Sequence, residues 1–293
     1  MTTAIGFIGL GLMGQAFTKR LTACKFKVVG YDLDAGKVEQ AAEHGVVAGH
    51  SPADVAANSD LVLMCVTSTD AVEAAVFGEN GVAMVEGDGK ILVDHSTTVL
   101  DATRTMSQRL RDSNGMIWID APVSGGPPAA ESGTLAIMAG GPSDAVSRIE
   151  PVMHKLAAAF THMGDVGAGQ ATKMVNQILV LNNYCVLAEA LALAEAAGVD
   201  ASKIPDALAP GHAGSNLLQA VFPRMIARDF APAGYARQVL KDLDMVGDMA
   251  RGLKVPTPMT SQTTTLYRTL INKGQAERDG IAILKLYEPA NDL

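Results

Sequence analysis

Cysteine is scarce in this 293-residue chain: Cys24, Cys65 and Cys185 are the only three. None has a partner at a disulfide-framework or metal-ligand spacing, so we expect buried, reduced thiols, no disulfide and no metal site. Excess positive charge is also missing, with 23 Lys and Arg against 31 Asp and Glu and a net charge of −8. That excludes a nucleic-acid scaffold, whose phosphate contacts need clustered cations. An acidic substrate would have to be met by a local positive site. No uninterrupted apolar run reaches the roughly 18 residues that suggest a bilayer span. The first apolar strand begins at Ala4, which leaves no room for a charged n-region and an apolar h-region. The expectation is a cytoplasmic protein with neither membrane nor nucleic acid as a partner. Internal repeats and low-complexity tracts are absent as well.

What the chain does contain is 48% hydrophobic residues with only 4% aromatics, the composition of an Ala-, Val-, Leu- and Gly-rich α/β protein. Short apolar segments at 4–8, 27–31, 61–66, 91–94, 116–120, 135–139 and 160–163 alternate with helical stretches. This alternation predicts a mostly parallel sheet with helices on both faces. After Gly167-Ala168-Gly169 the pattern changes: 170–197 runs without Pro or Gly and stops at Gly198, as a helix would. Its apolar positions, among them Met174, Val175, Leu179, Leu181, Val186 and Leu191, surround most of the helix and predict burial on several sides. No strand pattern returns. The expected organisation is α/β, with a doubly wound nucleotide-binding domain at 1–164. An all-helical domain at 165–293 follows, and the long helix joins the two.

Gly9-Leu10-Gly11-Leu12-Met13-Gly14 follows a strand and opens a helical stretch, the context that gives this glycine spacing its meaning. Gly9 permits a tight turn, Gly11 lets the backbone approach a pyrophosphate, and Gly14 allows close packing of helix on strand. The helix N-terminus then presents N–H groups and partial positive charge to the phosphates. The fold class is therefore Rossmann-type. Asp32 ends the second strand and is placed to accept from the adenosine ribose hydroxyls. A 2′-phosphate would meet like charge there, and the adjacent Leu33 offers no cation, so NAD is expected over NADP.

Ser124-Gly125-Gly126 follows another strand and could turn its hydroxyl and backbone N–H groups onto a small anion; an ordinary connector remains the alternative. On the long helix, Lys173, Asn176, Gln177 and Asn183 fall within about one third of the circumference. Polar groups on a buried strip need partners, since an unpaired one costs about 1 to 3 kcal/mol. Lys173 is the strip's single cation. As an amine it could take a hydroxyl proton, and as an ammonium it could return one to an alkoxide, although burial disfavours the charged form. A carboxylate-paired or solvated lysine is the plain alternative. Lys241-Asp242-Leu243 forms a further polar cluster, in which Asp242 could pair with a cation such as Lys173. Val221, Phe222, Met225 and Ile226 are read as an exposed apolar surface suited to self-association.

Four ordered motifs carry a resemblance over nearly the whole length. They are 6–14; 120–126 with Gly133-Thr134-Leu135; Gly167-Ala168-Gly169 with Lys173 and Asn176; and Lys241-Asp242-Leu243. The chain resembles the β-hydroxyacid dehydrogenases of the 3-hydroxyisobutyrate dehydrogenase and tartronate semialdehyde reductase type. By that resemblance Lys173 is the general acid/base, assisted by Asn176 and Gln177, and Ser124, Gly125 and Gly126 with Asn176 and Gln177 bind a substrate carboxylate. Val66, Thr67, Thr97 and Lys241 would line the cofactor. Gln177 tilts the substrate towards the tartronate semialdehyde branch, while Ser215, Asn216, Tyr235 and Arg237 are candidates for reading the substrate's tail. The resemblance implies an NAD-dependent oxidoreductase interconverting a small 3-hydroxy acid and its semialdehyde or keto acid, as a homodimer or homotetramer. The alternatives are a reductase of a related aldehyde, such as one bearing a sulfonate, and a non-catalytic NAD-binding sensor.

Overall fold

The computed structural model describes residues 4–288. The chain divides into two compact units, Met1–Lys173 and Met174–Leu293. In the first, strands β1 (Ala4–Ile8), β2 (Lys27–Tyr31), β3 (Val47–Ala48), β4 (Leu61–Met64), β5 (Ile91–Asp94) and β6 (Ile117–Asp120) run parallel in the order β3-β2-β1-β4-β5-β6. Helices α1 (Leu12–Ala23), α2 (Ala35–Ala42), α3 (Pro52–Ala57), α4 (Thr69–Phe77) and α5 (Leu100–Asn114) make the crossovers. The sheet then changes direction. β7 (Val123–Ser124) leads through α6 (Gly126–Ser132) to β8 (Leu135–Gly140), which is antiparallel to both β6 and β7. Helix α7 (Ser143–Leu156) then returns the chain to β9 (Ala157–Gly164), parallel to β8.

Burial on both faces explains why the central strands read as continuous apolar runs. Alternate residues feed opposite cores: Ile5, Phe7, Leu61, Leu63, Ile91, Val93 and Ile119 enter one cluster. Ile8, Val62, Met64, Leu92 and Trp118 enter the other. The two short strands β3 and β7 carry no apolar period long enough to be read from sequence.

Helix α8 (Ala168–Ala196) is 29 residues long. Helices α9 (Ile204–Leu208), α10 (Asn216–Ile226), α11 (Ala236–Leu253) and α12 (Pro258–Asn272) follow, then a 3₁₀ segment at Gly280–Tyr287. No further strand appears among the described residues. Leu181, Cys185, Leu187, Ala188 and Leu191 of α8 share one core with Val221, Phe222, Met225, Leu243, Tyr267 and Ile283.

Several expectations are corrected here. Val221, Phe222 and Met225 are interior residues, because their face of α10 is the one turned to this core. Exposed apolar residues instead line up on α8, where Val175, Leu179, Val186 and Leu193 are 55%, 63%, 51% and 72% exposed, and others stand singly, such as Leu253 and Met259. The helix is therefore open along one side. By length and composition α8 could also cross a membrane, although it contains polar residues that interrupt any apolar run. Its burial within a protein core explains that composition equally well. Of the three free thiols, Cys185 is buried whereas Cys24 and Cys65 are only partly so.

Candidate active site

The strand order reverses between β1 and β4, so their C-terminal ends diverge and leave the crevice in which such sheets receive ligands. Gly9, Leu10 and Gly11 follow the end of β1. Gly9 has φ +91°, and a Cβ there would lie 2.7 Å from Val66 Cγ1 and collide with the Cys65 carbonyl. A Cβ on Gly14 would strike the Gly9 carbonyl, so the start of α1 rests directly on the turn. At Gly11 a Cβ would meet nothing within 4 Å. The protein itself does not need a glycine there, whereas a ligand lying on the backbone would. Gly11 is also the N-cap of α1 and supplies no side chain to the helix's first N–H groups. Leu12 is 43% exposed beside it, and Met13 packs against the core below. Open backbone, an uncapped helix start and a turn too tight for side chains together fit a dinucleotide pyrophosphate.

Asp32 fastens this loop. Its Oδ2 accepts from Leu10 N at 2.7 Å and its Oδ1 from Asp34 N at 2.9 Å. Lys37 Nζ stands 3.6 Å from Asp32 Oδ1 and 3.9 Å from Asp34 Oδ2. The absence of a cation at Leu33 is thus corrected by the first turn of α2, which folds Lys37, five positions after Asp32, back towards that carboxylate. Val66 donates its N–H to Ser96 Oγ at 2.9 Å; Thr67 is exposed, and Thr97 is half-buried next to Ser96.

A second cluster forms where β5 and β6 end and α8 begins. Asp120 is fully buried and accepts from Gly167 N at 2.7 Å and from Gln170 N at 2.8 Å. Cβ atoms on Gly140 and Gly169 would come within 2.7 and 2.8 Å of its carboxylate oxygens, so both positions exclude side chains. Burial raises the Asp120 carboxyl from 3.8 to about 6, against the opposing pull of the backbone N–H groups of Gly167 and Gln170. Gln170 ties the same corner to the loop after β5, donating to Ser96 O at 2.8 Å and accepting from Thr98 N at 3.1 Å. His95, stacked on Phe17 at 4.9 Å, is held through Nδ1 by the Ala121 carbonyl at 2.7 Å, and burial lowers it from 6.5 to about 4. The structural roles of Gln170 and His95 were not foreseen; a lone polar residue in an apolar context is the one signal that marks them.

One turn beyond Gln170, Lys173 is 9% exposed, and its Nζ donates to Val123 O at 2.8 Å. This brings the amine to the strand that carries Ser124. Gly125 and Gly126 follow with φ +126° and +68°, a pair of turns that side-chain-bearing residues rarely adopt. In the second unit, Asn176 Nδ2 donates to Gln177 Oε1 at 2.8 Å. Gln177 Nε2 donates to Asp242 Oδ2, and Lys241 Nζ lies 3.2 Å from Asp242 Oδ1. Asp242 therefore joins Gln177 to Lys241. Asn183 is exposed and donates to Leu179 O of its own helix. Of the tail-reading candidates, Ser215 caps α10 and Arg237 pairs with Glu277 at 2.7 Å while stacking on Tyr235. Asn216 is exposed.

Residues 4–164 match the family described as the NAD binding domain of 6-phosphogluconate dehydrogenase. Residues 167–287 match the NAD-binding domain of NADP-dependent 3-hydroxyisobutyrate dehydrogenase. The chain is 32% identical to L-threonate dehydrogenase of Cupriavidus necator, over 98% of this chain and 97% of that one. It belongs to the β-hydroxyacid dehydrogenase family. Another member, 2-hydroxy-3-oxopropionate reductase of Escherichia coli, is 33% identical over 97% of both chains. Among solved β-hydroxyacid dehydrogenases, the 3-hydroxyisobutyrate dehydrogenase of Mycobacterium tuberculosis with L-serine superposes with a TM-score of 0.85. It shares 27% identity and covers 99% of this chain and 100% of that one. The expected fold class, an NAD(P)-binding Rossmann-type domain followed by a helical domain, holds, and so does the oxidoreductase class acting on CH–OH groups.

Proposed function

We propose that this β-hydroxyacid dehydrogenase interconverts a small 3-hydroxy acid and its semialdehyde or keto acid, using NAD and with Lys173 as general acid/base. The observation that carries the reading is the bond from Lys173 to the Val123 carbonyl, which seats a buried amine at the strand leading into Ser124-Gly125-Gly126. In oxidation the neutral amine takes the substrate's hydroxyl proton; in reduction the ammonium returns it to the nascent alkoxide. The nicotinamide, when bound, accepts or supplies the hydride. Ser124, Gly125 and Gly126 bind the substrate carboxylate, while Asn176 and Gln177, the latter braced by Asp242, orient the reacting group. Val66, Thr67, Thr97 and Lys241 flank the cofactor.

Asp32 supports NAD over NADP. Lys37 is shared between Asp32 and Asp34, so two carboxylates face one cation and a 2′-phosphate meets net negative charge. Val175, Leu179, Val186 and Leu193 are spaced by four, seven and seven residues, which puts them on one exposed face of α8 and supports a homodimer or homotetramer. We read α8 as a core helix of a cytoplasmic protein.

Lys173→Ala is the direct test. Turnover in a screen of small hydroxy acids and semialdehydes, followed by NADH absorbance, is expected to fall at least about 100-fold, the lower range for a lost general acid/base. NADH binding by fluorescence should persist. Near-wild-type turnover would remove Lys173 from the mechanism. NADH binding by the wild type without turnover of any compound would favour the sensor.

A further inference from the structure

Away from the crevice, the first unit has a cavity of about 160 Å³ beside the sheet. It lies near the point where β6 meets β8, with Asp120 opposite Gly140. Arg104, Ser107, Gln108 and Arg111 of α5 form one wall, and Ile117, Trp118, Pro142 and Val166 form the rest.

Two features suit this space to an anion. Arg104 has only a 3.6 Å pairing with Asp101, a residue whose side chain is 91% exposed, and a 3.4 Å contact to the Val166 carbonyl. Arg111 has no acidic partner among the described residues, and both arginines are exposed, so they stand at the rim of the space. Trp118 is 1% exposed, and its indole Nε1–H is buried without a hydrogen-bond partner among the described residues. Buried donors are seldom left unmet, because each costs free energy until an acceptor is found. Two guanidinium groups and an unmet N–H call for a ligand made of acceptors and negative charge. The space suits a group of a few heavy atoms better than a nucleotide.

We propose that this cavity binds a small oxyanion, a phosphate or a short carboxylate, between Arg104 and Arg111, with the Trp118 indole N–H as the neutral donor. The ligand would link α5 to the Val166 turn. Gly167, the next residue, donates to Asp120 and leads into the helix carrying Lys173. The site is separate from the proposed substrate loop and does not depend on the assignment of Lys173.

Trp118 is the chain's single tryptophan, so its emission reports directly on the cavity. The full-length, cofactor-free protein would be titrated with inorganic phosphate and, separately, with succinate, chloride holding the ionic strength constant. A saturable change in emission is expected, with half-saturation weakened at least ten-fold in Arg111→Gln and in Arg104→Gln at unchanged Tm. Arg111→Lys, which keeps the charge but loses the fork, should weaken it less. Response to phosphate alone identifies the ligand class as phosphate, response to succinate alone as carboxylate, and response to both as oxyanions in general. A linear response matched by chloride, or variants that follow the wild-type curve, would overturn the proposal.

Discussion

At Gly9–Gly14 the chain reaches its geometry by leaving side chains out, whereas at Asp120 and Lys173 it buries polar side chains and satisfies them. The first region is local: three glycines within six residues, each excluding a Cβ or leaving room for a ligand. The second is assembled from bonds spanning 47, 50, 72 and 74 residues. A turn that depends on missing atoms is sensitive to a methyl wherever the backbone closes on it, as at Gly9 and Gly14. A corner that depends on buried polar groups is sensitive to pH and to isosteric changes that leave a backbone N–H unmet.

Glycine substitutions give the largest expected effect on folding. Gly14→Ala drives a methyl into the Gly9 carbonyl and should destabilise the chain by several kcal/mol, read as a large loss of Tm or of soluble protein. Gly11→Ala should leave Tm within about 2 °C, since an effect inside 0.5 kcal/mol is the rule where nothing is touched, yet weaken NADH binding at least ten-fold. Equal loss of stability in both would erase the distinction between a glycine required by the fold and one required by the ligand.

The polar corner should announce itself in the pH dependence of stability. His95 has its pKa lowered from 6.5 to about 4, so the unfolded chain takes up its proton first. Its contribution is fully present above pH 6.5 and is lost as pH falls towards 4, by up to about 3 kcal/mol. Asp120 is raised from 3.8 to about 6, so the folded chain holds the extra proton. Its contribution has the opposite sign: it is present below about pH 4 and lost as pH rises through 6. Between pH 4 and 6 the two largely cancel. Urea unfolding of His95→Gln should therefore remove an acid-side loss relative to wild type, and Asp120→Asn should remove an acid-side gain. Parallel curves for wild type and both variants would sink this account.

The smallest effect is expected at the adenosine end. Lys37 is 43% exposed in its side chain, and Lys37→Ala should shift the ratio of kcat/KM for NAD over NADP by only a few-fold, towards NAD. Asp32→Ala should move it further, towards NADP, and should also cost stability, because Leu10 N loses its acceptor. A ratio unchanged in both variants would detach this pair from cofactor choice.

The contrast between the regions also explains what could be read in advance. The alternation of strands and helices, the glycine turn, Asp32 and the extent of the long helix follow from short-range patterns, since hydrophobic period and steric exclusion act over a few residues, whereas the order of the strands does not. The exposure of α10 was misjudged and the open face of α8 went unseen, because an apolar residue looks the same whether another helix covers it or not. Gln170 and His95 escaped notice for a related reason: a buried polar residue acquires its role from acceptors and donors supplied far along the chain. The sequence by itself determined the mostly parallel α/β character of the first unit, the helical character of the second and the residue types at the crevice. Only tertiary structure decided which polar groups meet. Lys173 comes to Val123, Gln177 to Asp242 and Lys37 to Asp32 because packing fixes distances that local patterns leave free.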